Sequence, residues 1–143
     1  MFENKMELIF SAISENEAFA RVAVASFAAR LNPTLAEIMD IKTAVSEAVT
    51  NAIIHGYEET SDDEENTVKL RCRIAGQEIF IEISDTGRGI KDIEQAREPL
   101  YTSKPDTERS GMGFTVMEEF MDGLDIVSHV GQGTTIFLRK IIN

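Results

Sequence analysis

The sequence is short of cysteine, histidine and basic charge, and each shortage removes a class of function. One cysteine, Cys72, cannot make an internal disulfide. It falls in an alternating strand pattern, where a small buried hydrophobe is the expected role. Two histidines and one cysteine are too few for a zinc site built from protein ligands alone. Lys and Arg number 14 against 25 Asp and Glu, a net charge of −11, which argues against a nucleic-acid partner because phosphate backbones call for basic patches. Nucleotides stay open as ligands, since Mg²⁺ and backbone N–H groups can hold phosphates without net positive charge. Long apolar runs are also lacking. The uncharged run Val22 to Ala29 is far too short to span a bilayer, and the start, Met1 to Glu7, has no basic segment leading into an apolar one. No membrane association is expected, and the cytoplasm is the expected location.

What is present reads as one domain, residues 1–143, with 43% hydrophobic and 27% charged residues. Residues 5–13 alternate as a strand, with Met6, Leu8 and Phe10 on one side. Ser14 and Glu17 have capping-box spacing at the start of a helix, whose stripe Phe19, Val22, Ala23, Phe27 and Leu31 is expected to face the core. Pro33 stops that helix, and Thr34 with Glu37 repeats the capping signature for a second one running to about Ile54. Six acids fall among the nine residues 58–66, a solvated loop. Two strands follow, around Val68 to Ile74 and Ile79 to Ile83. The Gly- and Pro-rich stretch 85–113 is expected to be a loop of functional length. A helix at 113–121 and strands near 124–130 and 133–141 complete the order β-α-α-β-β-loop-α-β-β. That order predicts an α+β fold with helices stacked on one face of a sheet.

Four short patterns carry chemistry. Glu47 and Asn51 lie one turn apart on the second helix and share a face. Asp85-Thr86-Gly87-Arg88-Gly89 leaves a buried strand, so its carboxylate can be held rigidly to accept from an exocyclic amine, and its glycines let backbone approach a flat ring. Ser110-Gly111-Met112-Gly113 leads into a helix, where free N–H groups suit phosphates. Gly133-Thr134-Thr135 opens the last strand. Each pattern alone is a weak signal.

In this order the four resemble the motif set of the GHKL (Bergerat-fold) ATPases and kinases. The stretches Ser46 to Glu59, Pro99 to Pro105, Glu108 to Phe114 and Phe19 to Phe27 are similar to the kinase-type anti-sigma factors of sporulating bacteria in particular, and the likeness covers nearly the whole chain. The resemblance implies a two-layer α/β sandwich with a mixed, mostly antiparallel sheet, and an ATP lid at about 98–110. The implied cofactors are ATP or ADP and Mg²⁺. By the same resemblance Asn51 is the Mg²⁺ ligand and Asp85 receives the adenine amino group, with Thr134 or Thr135 nearby through water. Gly87 and Gly89 shape the adenine pocket. Ser110, Gly111, Met112 and Gly113 cradle phosphates, and Thr102, Ser103 and Lys104 of the lid join the nucleotide site. Glu47 is the general base, and Arg109 approaches the γ-phosphate.

The implied partners are a sigma factor, an anti-anti-sigma protein phosphorylated on serine, and a second copy in a homodimer. Arg21 lies about 200° around the first helix from Phe19. It is therefore expected in solvent, and the resemblance places it at the centre of the sigma-factor surface. Three other readings share the motifs: the ATP-binding domain of a histidine kinase, an ATP-gated module that binds without catalysing, and an ATP-driven conformational clamp, which would call for a further transducer domain. For the first, His55 and His129 are badly placed as phosphoacceptors. Against the second stands Glu47.

Overall fold

Alternation along the strands builds the sheet. The computed structural model describes residues 3–56, 66–98 and 113–143. Within them β1 (Asn4–Ser11), β2 (Thr67–Ala75), β3 (Glu78–Asp85), β4 (Gly123–His129) and β5 (Gly133–Ile141) form one sheet in the order β1-β2-β3-β5-β4. The expected mostly antiparallel sheet is antiparallel at all four of these pairings. Period-two residues Val68, Leu70, Cys72 and Ile74 of β2 and Ile79, Ile81 and Ile83 of β3 are buried on one face. Ile136 and Leu138 of β5 join them in one core with the helices. Burial pushes the Cys72 thiol up to about 12, the inert structural role its pattern implied.

The helices α1 (Glu15–Ala28), α2 (Leu35–Asn51) and α4 (Gly113–Phe120) supply the other layer, with α2 packed between α1 and α4, and a single-turn α3 (Ile93–Ala96) lies in the stretch after β3. Helix α2 begins with a complete capping box: Glu37 N–H donates to Thr34 Oγ1 at 3.1 Å, and Thr34 N–H donates to Glu37 Oε1 at 2.8 Å. It ends in a π-helical turn, Ala52–Gly56.

Two expectations for α1 are corrected. The buried stripe is Ala20, Val24, Ala28 and Leu31, while Phe19 and Val22 are 56% and 53% exposed. Helix α1 packs on α2, and the alanines of that stripe are small enough for close helix packing. Ser14 forms no side-chain cap because its backbone is already helical. A capping hydroxyl needs an extended residue to reach the N–H groups ahead of it. Glu17 instead pairs with Arg21 at 3.1 Å.

The Thr34 cap secures the N-terminal end of the helix that carries Glu47 and Asn51. Thr34→Ala is expected to lower unfolding free energy by about 1 kcal/mol, read as a lower urea midpoint at unchanged m-value. An unchanged midpoint would mean the cap is redundant.

Candidate functional site

Helix α2 delivers Glu47 and Asn51 on one face near its C-terminal end, and α4 starts against them. A Cβ on Gly113 would lie 3.2 Å from Asn51 Nδ2 and 3.3 Å from Glu47 Oε2. Glycine there lets the first turn of α4, with its outward-pointing N–H groups, sit directly on the pair. The π-helical turn after Asn51 rests on β3 and β5. Such turns recur where a helix must redirect side chains at a site.

Asp85 closes β3. It is 8% exposed, and its carboxylate accepts from Gly87 N–H at 2.9 Å and from the Thr134 backbone N–H. Burial raises its pKa above the usual carboxylate range, and the two N–H donors oppose that rise. The loop after Asp85 is pinned to the β4–β5 hairpin. Gly89 has φ 78°, and a Cβ there would collide with the His129 carbonyl. Gly133 has φ 106°, and a Cβ there would collide with the Asp85 carbonyl. Gly131 N–H donates to Arg88 O at 2.7 Å, and Ile90 N–H donates to Ser128 Oγ at 2.7 Å.

The register separates the two threonines. Thr134 pairs with Asp85 across β3–β5 and is buried on the same face. Thr135 points to the opposite face, where its hydroxyl meets Ser84 Oγ at 3.1 Å. The structure therefore brings Asp85, Gly87, Gly89 and Thr134 together and leaves Thr135 out. It also brings Glu47, Asn51 and Gly113 together. Arg21 stands apart on α1 in its ion pair with Glu17. The positions Thr102, Ser103, Lys104, Arg109, Ser110, Gly111 and Met112, with most of the expected lid, lie outside the described residues.

Sequence reasoning missed Ser128. Its Oγ is 2.7 Å from Thr134 Oγ1 and 3.2 Å from Gly133 O. The signal was available: Leu124, Ile126 and Ser128 share the inward period of β4, so a serine occupies a position otherwise apolar. A groove of about 560 Å³ between Phe80, Val127 and Phe137 lies on the sheet's outer face, away from Asp85. Among the described residues no three His, Cys, Asp or Glu converge as a metal cage, and no helix is long and apolar enough to cross a membrane.

A family model described as the histidine kinase-like ATPase domain matches residues 10–140. An anti-sigma F factor of Clostridium botulinum (strain Eklund 17B) is 59% identical over 143 residues, covering 100% of this chain and 98% of that protein. The chain belongs to the anti-sigma F factor family. An anti-sigma F factor of Clostridium acetobutylicum (strain ATCC 824) is 61% identical over 140 residues, covering 98% of this chain and 95% of that one. The structure of the RsbU and RsbW domains of Rv1364c from Mycobacterium tuberculosis matches 97% of this chain and 32% of that chain, with a TM-score of 0.67 and 20% identity. That likeness bears on the fold alone. The anti-sigma F family and its ATPase domain fit a nucleotide ligand, and so do the residues present. A buried acceptor stands at one end, and a helix N-terminus meets an amide–carboxylate pair at the other.

The raised pKa of Asp85 fixes the sign of its linkage to stability. Its carboxyl favours the folded state below the ordinary carboxylate range, and that contribution is lost as pH rises through the raised value. Asp85→Asn keeps an oxygen for Gly87 N–H and removes the buried charge. Its melting temperature at neutral pH is expected to equal or exceed that of the unsubstituted chain, with a flatter pH dependence. A fall of more than about 4 °C in a thermal melt would mean that the ionised carboxylate stabilises the fold.

Proposed function

We propose that this chain is an ATP-dependent anti-sigma factor and protein serine kinase. It holds a sporulation sigma factor inactive in the cytoplasm and phosphorylates the sigma factor's anti-anti-sigma antagonist. The observation that carries the reading is the meeting of Glu47, Asn51 and Gly113 in a chain alike along its whole length to anti-sigma F factors.

The roles follow from chemistry. Asp85 accepts from the adenine amino group, and Gly87 and Gly89 let backbone close on the base. The Asn51 carboxamide oxygen would be a suitable hard ligand for Mg²⁺. The N–H groups opening α4 face the phosphates. Mg·ATP supplies the phosphoryl group when bound. Glu47, one turn from Asn51, takes the proton of the attacking serine hydroxyl as the new P–O bond forms and ADP leaves. Arg109 serves the γ-phosphate, because a guanidinium pairs well with phosphate oxygens. Thr102, Ser103, Lys104, Ser110, Gly111 and Met112 complete the lid side. Phosphoryl transfer asks for little more than such positioning, charge neutralisation and one base.

The test is incubation with Mg·ATP labelled at the γ-phosphate and a candidate anti-anti-sigma protein. Label is expected on a serine of that protein. Glu47→Gln should still bind ATP while transfer falls by roughly 10²–10⁴-fold, whereas Asn51→Ala should lose Mg²⁺-dependent affinity. Transfer by Glu47→Gln at the unsubstituted rate would remove Glu47 from the base role, and label retained on the chain's own histidine would favour a histidine kinase.

Capture of the sigma factor is assigned to α1 of a homodimer, with Arg21 central. Arg21 is followed by the exposed Val22, and arginine is enriched among binding hot spots. Arg21→Glu is expected to weaken sigma-factor binding about thirtyfold, corresponding to about 2 kcal/mol, in a titration with Mg·ATP present. ATP affinity should be unchanged, since no nucleotide motif lies on α1. Unaltered sigma binding would return Arg21 to an ordinary surface ion pair.

A further inference from the structure

Ser128, Thr134 and Asp85 occupy one rung across three strands. Thr134 is the register partner of both Asp85 on β3 and Ser128 on β4. The Ser128 hydroxyl has one proton and two lone pairs. One lone pair is taken by Ile90 N–H at 2.7 Å. Its proton has two acceptors in reach, Thr134 Oγ1 at 2.7 Å and Gly133 O at 3.2 Å. Either hydroxyl can donate across the 2.7 Å contact; when a bound acceptor draws the Thr134 proton, the Ser128 proton makes that contact, since Gly133 O at 3.2 Å lies beyond the usual O–H···O range. Thr134 Oγ1 then acts as acceptor toward Ser128, and its own proton is left for a group bound beside Asp85.

We propose that Ser128 is a positioning residue for base selection, which turns the Thr134 hydroxyl into a hydrogen-bond donor next to the Asp85 acceptor. The base edge of the site then reads acceptor, donor. That is the complement of adenine, whose amino group donates and whose N1 accepts. Guanine presents an acceptor where adenine donates and a donor at N1, so it is mismatched at both points. Thr134 meets N1 directly or through one water. Ser128 does this while also anchoring the loop through Ile90, so base choice and loop position depend on one hydroxyl. The proposal rests on the adenine-nucleotide reading above and adds to it the residue that sets the donor's direction.

The test measures affinity for ADP and for 1-deaza-ADP, which lacks the N1 acceptor, by calorimetry on the full chain. The unsubstituted protein is expected to prefer ADP by about tenfold. Ser128→Ala should lose most of that preference through weaker ADP binding, with 1-deaza-ADP changed by no more than about twofold. Ser128→Thr, which keeps the hydroxyl, should restore it. Thr134→Val should lose the preference too, and the Ser128→Ala/Thr134→Val double variant should lose no more than Thr134→Val alone, because the two hydroxyls act in series. Equal weakening of both ligands in Ser128→Ala would reduce Ser128 to a loop anchor and overturn the proposal, as would an unchanged preference or a failure of Ser128→Thr to restore it. Should Ser128→Ala not fold, Ser128→Cys is read instead. Its weaker donor should lower the preference, and an undiminished one overturns the proposal. An unsubstituted protein that binds both ligands equally overturns this proposal alone, and one that binds neither overturns the nucleotide reading itself.

Discussion

The close approach of the Asp85 loop to the β4–β5 hairpin is the constraint on which the site depends. Two glycines permit it. At Gly133 a side chain would strike the carbonyl of Asp85, and at Gly89 one would strike the carbonyl of His129. Both have positive φ, where other residues are strained. Once the backbones are this close, Gly131 N–H reaches Arg88 O and Ile90 N–H reaches Ser128. The Asp85 carboxylate is thereby kept buried and aimed by Gly87 N–H. Burial of that carboxyl is unfavourable to its ionised form. The fully buried isoleucines of the same strand, Ile79, Ile81 and Ile83, supply favourable apolar burial of roughly 2 kcal/mol each, and so the fold tolerates a buried carboxyl at the sheet's end.

Helix α2 is the second support, and it is tied down at both ends. Its start is closed by Thr34 and Glu37, and Asn143 N–H adds a bond to Glu37 Oε2 at 3.0 Å, joining the end of the chain to that same turn. Lys140, buried on β5, donates to Phe120 O at the C-terminal end of α4 and lies 3.5 Å from Asp40 of α2. A lysine there satisfies a terminal carbonyl and complements the negative end of the α4 dipole. The two helices whose opposite ends meet at Asn51 and Gly113 are thus linked to each other and to the sheet through one cation.

Most of the strand architecture was legible because period two is unambiguous where Ile, Leu and Val alternate with charge. The Thr34 cap was legible for the same local reason. What sequence could not show is anything that depends on register or on size complementarity. Thr134 and Thr135 are equivalent as text, and only pairing with Asp85 against Ser84 tells them apart. Ser128 gains its meaning from being opposite Thr134. On α1, a scale of hydrophobicity ranks Phe19 above Ala20, yet Ala20 is the fully buried one and Phe19 is mostly exposed. Ser14 and Thr34 carry the same capping signature, and only the backbone entering each helix separates the one that caps from the one that does not.

The charge distribution bears on how so acidic a chain can present a site for phosphates. The outer sheet face holds Arg71, Arg73 and Arg139, and each is matched there: Arg71 with Glu7 and Glu82, Arg73 with Glu82, and Arg139 with Glu78. Such exposed pairs add little stability, but they neutralise these cations on the face opposite Asp85, where a nucleotide beside Asp85 cannot use them. Arg97, beyond the Asp85 loop, is paired with Glu118 of α4. The N–H groups at the start of α4, set against Glu47 and Asn51, supply a local positive end that these paired cations do not. The dipole of a helix end acts within about one helical turn, whereas net charge acts over a Debye length. A chain of net charge −11 can therefore hold a polyanion at one point while its surface as a whole repels polyanions, which restricts phosphate ligands to those small enough to enter that point.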